Sequence, residues 1–450
     1  MQATRLVSVI GLAFGDCGKG LFVDYLCRRW RAHTVVRFNG GGQAGHNVVL
    51  PDGRRHTFSQ FGAATFVPGV ATVLAEPVVI HPGALLVEHD YLRRCGVDDA
   101  MARLLIDPRC RVTTPFHQAC GRLRELARGA LAHGSCGVGV GATVLHSLQH
   151  PAQTIMYADL ARPALALEKA EAIRRTLFDA CADLAAAGPQ ASSARAWQNE
   201  WRVLADCSAA ARWLAQIAEL ARRVPPAAAG AIGARLAAPG TVLFEGAQGV
   251  LLDQWRGFHP HTSWSSTVPA AAEAVARDAG QDGAFEHLAV LRTYLTRHGA
   301  GPLPTHDARL DLLTEAHNGD AGWQGAFRRG HPDVLLLRYA LAVAGPFDGL
   351  LVSHLDVFQR ERALRWCRAY EIDGAEVGAL VAGAGGDLAH QAALTDLLAR
   401  ARPCYAGPAI GSASAFNEAL ETLAQLPVRF GARGPTHADV IALGGAGAAR

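Results

Sequence analysis

Two glycine-rich segments hold the side chains best suited to do chemistry. The first, Val9-Ile10-Gly11-Leu12-Ala13-Phe14-Gly15-Asp16-Cys17-Gly18-Lys19-Gly20, runs from an apolar stretch through a turn into a helical pattern. Its glycines Gly15, Gly18 and Gly20 let backbone N–H groups converge on an anion, and the helix N-terminus adds a favourable dipole. Lys19 supplies a point charge for phosphate. A Walker A loop would need Gly at Ala13 and Ser or Thr at Gly20, so this cradle is of another kind. Asp16 stands where a simple phosphate cradle avoids negative charge, which suits a general base or a magnesium ligand. The second segment, Arg37-Phe38-Asn39-Gly40-Gly41-Gly42-Gln43-Ala44-Gly45-His46-Asn47, sets one imidazole in another backbone-rich loop. A lone His is commonly structural. Here the flanking glycines and the polar Gln43 and Asn47 favour a catalytic reading of His46.

The elements that must present these turns follow from hydrophobic patterning. Leu6–Leu12, Thr34–Phe38, Ala71–Val79, Thr241–Phe244, His287–Leu291, Leu350–Leu355 and Val440–Leu443 are short apolar runs ended by Gly, Asn, Asp or His, as buried strands are. Helical patterns follow most of them, so the fold class is α/β, with a large, mostly parallel central sheet flanked by helices. From about 118 to 238 Ala, Leu, Arg and Glu recur at helical spacing, which predicts a mainly helical insertion. Its last part, Pro225–Gly240, reads as a connector rich in Ala, Pro and Gly. The tail from Gly444 to Arg450 reads as frayed. With 450 residues, 50% of them hydrophobic and 18% charged, the chain can bury a large core and is not disordered. That length suits about three domains of roughly 150 residues, and one large α/β unit spanning 1–450 fits as well. A net charge of +3 is too balanced for a nucleic-acid footprint. No apolar run reaches the roughly 18 residues of a membrane span, and the first residues lack a leader pattern, so the expected place is the cytoplasm. Ten scattered cysteines without a C-x-x-C pair suggest neither a zinc site nor a disulfide framework.

The two glycine segments, in this order and about thirty residues apart, resemble the adenylosuccinate synthetase family. The likeness continues in Phe244-Glu245-Gly246-Ala247-Gln248-Gly249-Val250-Leu251-Leu252-Asp253, in Thr296-Arg297-His298-Gly299-Ala300-Gly301-Pro302-Leu303-Pro304-Thr305, in Ser353-His354-Leu355-Asp356 and in Gly434-Pro435. It spans residues 6 to about 443. The resemblance implies that family's P-loop-NTPase-related fold and a ligase reaction: GTP phosphorylates the 6-oxygen of IMP, and the aspartate amine then displaces phosphate to give adenylosuccinate. It implies Asp16 as base and Mg²⁺ ligand, the Gly45 carbonyl as a second Mg²⁺ ligand, His46 as hydrogen-bond donor to the transferring phosphoryl group, and Lys19 as neutraliser of its charge. Nucleotide contacts would come from Gly15, Gly18, Gly20, Gln43, Gly45, Asn47, Ser135, Cys136, Gln248, Ser263, Arg328, His354, Asp356 and Gly434, with Asp356 reading guanine. Family members are homodimers. Small-molecule substrates are expected, and neither nucleic acid nor membrane.

The departures cluster. Cys17 replaces the Glu of the first motif. In Gly134-Ser135-Cys136-Gly137-Val138-Gly139-Val140-Gly141, Cys136 stands for a phosphate-holding Thr and Val138 for an Arg. His150 falls where a partner subunit's Arg is expected, and Ser263, beside Trp264, replaces a Thr. In the amino-acid loop one of two carboxylate-clamping arginines is Ala326. Arg328 is kept, and Arg329 is a possible substitute. His354 replaces a Lys that stacks on the base and is itself able to stack, while Arg433 suits either a phosphate contact or a solvated position. The phosphoryl-transfer set is thus retained, and the surroundings of acceptor and amine are altered. Three alternatives stay open here: ATP as donor, a paralogue applying the same activation to another nucleotide, oxo-heterocycle or amine, and a nucleotide-binding protein without catalysis.

Overall fold

The computed structural model describes residues 4–444 except 188–192, 314, 316–317, 320–321 and 361–362. The tail expected to fray, Gly444–Arg450, lies outside the described residues beyond Gly444. Nine strands form the main sheet: β1 (Arg5–Gly11), β2 (Thr34–Arg37), β3 (Ala71–Leu74), β4 (Leu104–Ile106), β5 (Thr241–Glu245), β6 (Phe285–Arg292), β7 (Gly349–Ser353), β8 (Val428–Ala432) and β9 (Val440–Ala442). Their spatial order is β9-β8-β7-β6-β1-β5-β2-β3-β4. Every pair is parallel except β8–β9, which is antiparallel.

Alternate residues of one strand feed two cores. On β1, Val7 and Val9 join one cluster with Phe22, Leu26 and Val35, while Leu6 and Ile10 join another with Val36, Phe244 and Ala289. Successive side chains of a strand point to opposite faces, so a sheet covered on both sides reads as an unbroken apolar run. The first cluster continues into helices packed on that face, α1 (Lys19–Trp30), α2 (Pro82–Arg94), α3 (Pro115–Arg128) and α5 (Pro163–Ala180), while α4 (Val140–Gln149) follows α3 in the chain. Further helices follow at Ala182–Ala187, Ala194–Ala205, Ala209–Arg223 and Ala231–Leu236. The last lies inside the segment expected to be a plain connector. Its run Ala231–Leu236 ends in Leu236, which is fully buried in the second core, and that tertiary contact outweighs the local Pro/Gly signal. The expected strand Ala71–Val79 is also shorter: β3 stops at Leu74, and Val79–Ile80 pairs instead with Arg111–Val112 in a separate small sheet. No described helix is long and apolar enough to cross a membrane.

Candidate active site at the carboxyl ends of the strands

The first turn leaves β1 and enters α1 through Gly18, whose φ of 88° lies in the left-handed region. A side chain there would also press on Ser353 at the end of β7. Ser353 Oγ donates to the Cys17 carbonyl at 2.9 Å. Lys19 is buried, and its ammonium donates to the Gln248 carbonyl at 2.6 Å. Asp16 is held in the left-handed region at φ 39°. Its carbonyl accepts from Arg292 Nε, and its half-buried carboxylate lies 3.5 Å from His298 Nε2.

The second turn leaves β2 and is tied down by Asn39. Its amide donates to the Ser266 carbonyl at 2.9 Å and accepts from Ala247 N–H at 2.7 Å. Gly40 then passes so close to Ala247 and the Gln248 side chain that a Cβ would collide. Gln248 therefore touches both turns: its backbone packs on Gly15 and receives Lys19, while its side chain packs on Gly40. His46 opens the short strand His46–Val49 and is buried against α1, where Gly20 leaves room for it. Its Nδ1 bonds Glu245 Oε1 at 2.5 Å, and Glu245 also accepts from Ala63 N–H at 2.9 Å. Burial pushes the imidazole down to about 4, against the pull of Glu245. Burial raises the Glu245 carboxyl, but the neighbouring His46 and Arg37 outweigh it and leave the net shift downward. The ring is therefore neutral at pH 7, with Nδ1–H on Glu245. Three buried polar atoms around these turns, His46 Nε2, Gln43 Oε1 and Gln248 Oε1, have no hydrogen-bond partner among the described residues. Buried groups of this kind are costly unless something completes them, as a polar ligand would. The Gly45 backbone is exposed beside them.

One expected contact is not brought here. Asn47 follows His46 in a strand, so its side chain leaves on the opposite face, where Asn47 Oδ1 accepts from Thr57 at 2.6 Å.

The loop 134–141 is positioned by α3. Glu125 accepts from the Gly134 and Ser135 amides at 3.0 and 3.2 Å, and Arg122 donates to the Gly137 carbonyl at 2.8 Å. Trp323 packs on Gly137 and Trp264 on Gly141, leaving no room for a Cβ at either glycine. Burial pushes the Cys136 thiol up, so it stays protonated and a weak donor. Ser135 is exposed, with Oγ accepting from Gly137 N–H at 3.2 Å. Ser263 spends its hydroxyl on the Leu252 carbonyl at 2.9 Å. His150 ends α4, its ring 5.0 Å from that of His146. The loop's own donors are thus largely committed to the protein.

On the opposite rim, strand Leu295–His298 pairs with Phe327–Gly330. Arg328 Nη2 donates to the Gly299 and Gly301 carbonyls at 2.6 and 2.7 Å, bracing the glycine turn. Arg329, expected as a substitute clamp, is buried over the Phe327 ring with Nη1 on the Phe327 carbonyl, so it is not free for that role. Ala326 is exposed. At the end of β7, His354 bonds Ser353 Oγ at 2.9 Å and meets Tyr294 edge-on at 5.6 Å. Burial, then the Arg292 charge, holds it down to about 3. Asp356 pairs with Arg360 at 2.5 Å. Gly434 follows the neighbouring β8 and leaves space that the Asp439 carboxylate fills, with Arg433 exposed beside it. The turns carrying Asp16, Asn39, Gln248, His354 and Gly434 follow the carboxyl ends of the parallel strands β1, β2, β5, β7 and β8, where open α/β sheets bind ligands.

Residues 8–395 match the family model described as adenylosuccinate synthetase. The adenylosuccinate synthetase of Myxococcus xanthus is 32% identical over 380 residues, covering 82% of each chain. That of Mycobacterium tuberculosis is 33% identical over 371 residues, covering 82% of this chain and 81% of its own. The chain belongs to the adenylosuccinate synthetase family. Members of this family are C–N bond-forming ligases acting on small molecules. In fold, the chain resembles the fully ligated adenylosuccinate synthetase of Plasmodium falciparum, with a TM-score of 0.71 at 17% identity over 99% of this chain and 100% of that one. It also resembles the succinoaminodeoxyadenylate synthetase of cyanophage S-2L, bound to dGMP and to dATP as energy donor, with a TM-score of 0.60 at 16% identity over 98% and 96%.

Sequence reasoning passed over Glu245, Asn39, Arg292 and Glu315. Glu245 stood inside a quoted motif, but a carboxylate at the end of a buried strand is a visible signal, since it must find a partner. Arg292 likewise ends an apolar strand.

Proposed function

We propose that this chain forms adenylosuccinate from IMP, aspartate and GTP. The observation that carries the reading is that Gln248 joins the two glycine turns, receiving Lys19 and packing on Gly15 and Gly40, while His46 Nε2, Gln43 Oε1 and Gln248 Oε1 are buried without a hydrogen-bond partner among the described residues. An amide-like oxygen leaves poorly and a phosphate leaves well, so a base that creates the oxyanion and a cationic cradle for the phosphoryl group are the needed parts. Asp16 takes the N1 proton of the purine, and Lys19 offsets charge on the transferred phosphoryl group. Glu245 fixes the His46 ring with Nε2 turned to that group, for donation once the anion has drawn a proton onto it. Asp356 and the turn at Gly434 hold the guanine, and Gln43, Gln248 and loop 134–141 hold the acceptor.

A divalent cation fits this set. Among the described residues no three His, Cys, Asp or Glu side chains gather around a metal position. The Asp16 carboxylate and the Gly45 carbonyl are hard oxygen donors, and Mg²⁺ takes its remaining ligands from phosphates and water. When bound it would supply neutralisation of phosphate charge. We read the chain as one catalytic unit with a helical insertion at about 118–238, acting in the cytoplasm as a homodimer.

The test is direct: purified protein with GTP or ATP, Mg²⁺, IMP and aspartate, following phosphate release and product mass. Adenylosuccinate at about 1 s⁻¹ or faster supports the reading. Phosphate release only with another acceptor or amine replaces it with the paralogue.

A further inference from the structure

Asp16 lies in the left-handed region at φ 39°, which is uncommon for a non-glycine residue although Asp tolerates it better than most. Two residues from one stretch of chain hold it there. Arg292, the last residue of β6, donates Nε to the Asp16 carbonyl. Its two terminal nitrogens are fixed by Glu315, at 2.5 Å and 3.0 Å, and Glu315 is further bonded by Tyr294 at 3.1 Å and Asn318 at 2.8 Å. Six residues beyond Arg292, His298 ends the strand Leu295–His298 and faces the other end of Asp16, with Nε2 3.5 Å from Oδ2. The ring is wedged against Phe327 at 4.5 Å, its partner in the strand register, and it is 17% exposed. Its other nitrogen, Nδ1, is buried without a hydrogen-bond partner among the described residues.

We infer that His298 is a positioning residue for Asp16: it holds the carboxylate in the rotamer that faces the acceptor, while the Arg292–Glu315 pair holds the backbone. At 3.5 Å the contact is longer than a good hydrogen bond, and such contacts tighten when substrate closes the site. Two clamps on one residue have a purpose here. The residue sits on a turn between glycines, and among the described residues His298 is the side chain placed against its carboxylate. The inference rests on Asp16 being the base.

The test compares His298→Ala, His298→Gln and Asp16→Asn with the parent protein, measuring kcat, KM for each substrate, IMP affinity by calorimetry and the thermal midpoint. A carboxylate displaced by about 1 Å costs roughly 10²-fold in rate. His298→Ala is therefore expected to lower kcat by about 10²-fold, with IMP affinity, nucleotide KM and thermal midpoint unchanged. His298→Gln, which keeps an N–H donor at similar reach, is expected to recover much of the loss. If Asp16→Asn is inactive while His298→Ala turns over like the parent, the positioning role falls and the base assignment stands. If Asp16→Asn itself turns over normally, both fall. Loss in His298→Ala that Gln does not relieve, accompanied by a lowered midpoint, marks a packing role only and also overturns the inference.

Discussion

The imidazole of His46 shows how much a single buried contact decides. Burial alone would leave an unfixed neutral ring of either tautomer, whereas the Glu245 carboxylate, buried and anchored by the Ala63 amide, selects Nδ1–H and leaves the buried Nε2 without a partner among the described residues. Glu245→Gln keeps the shape but removes the charge that would stabilise an imidazolium. It should lower kcat by about 10²-fold or more while leaving nucleotide affinity near that of the parent, read by steady-state kinetics beside calorimetry. A second expectation belongs to Ala326. The exposed edge there lacks a cation, and Arg328 is spent on carbonyls. One charge-assisted bond contributes about 1.5–3 kcal/mol, so Ala326→Arg should lower the KM for aspartate about tenfold or more. No change in that KM would show that the carboxylates bind elsewhere.

At the scale of elements, α3 holds the loop 134–141. It begins with Thr114, whose hydroxyl accepts from His117 N–H at 3.3 Å while the His117 ring accepts from Thr114 N–H at 3.2 Å, a capping box. Thr114→Ala should cost about 1 kcal/mol of stability, visible in urea unfolding. Further along the same helix, Glu125 caps the first two amides of the loop. Glu125→Ala should loosen residues 134–141 and raise the acceptor KM while sparing the nucleotide KM. An equal rise in both would mean that the loop serves no single substrate.

At the scale of the whole molecule, buried histidines make folding sensitive to acid. His117 is held down to about 3 by burial, first, and by the neighbouring His146, against an ordinary value of 6.5. The unfolded chain therefore binds a proton between pH 6.5 and 3 that the folded chain refuses. This stability is complete above pH 6.5 and is lost as pH falls, by about 2 kcal/mol at pH 5. Asp333 runs the other way: burial pushes its carboxyl up to about 6, so its contribution declines as pH rises from about 4 to 6. The signature of His117 is thus the difference between proteins. His117→Gln should flatten the fall in thermal midpoint between pH 7 and 5, and an unchanged slope would assign acid sensitivity elsewhere.

Much was determined locally. Apolar runs ended by turn residues located seven of the nine main strands, because a strand covered on both faces must be apolar throughout. The glycine turns with Asp16, Lys19 and His46 were legible because only particular residue types allow a backbone to close on phosphate. Residues whose meaning depends on distant partners were not legible. Glu245 becomes the anchor of His46 only when β5 and β2 lie side by side, and Arg292 and His298 reach Asp16 only because β6 lies beside β1. Arg329 looks like a free cation in the sequence and is buried in the structure, while Asn47 turns away from His46 by strand alternation. Local physics chose the chemistry present, and tertiary packing chose which groups meet, since contacts hundreds of residues apart leave no spacing to read.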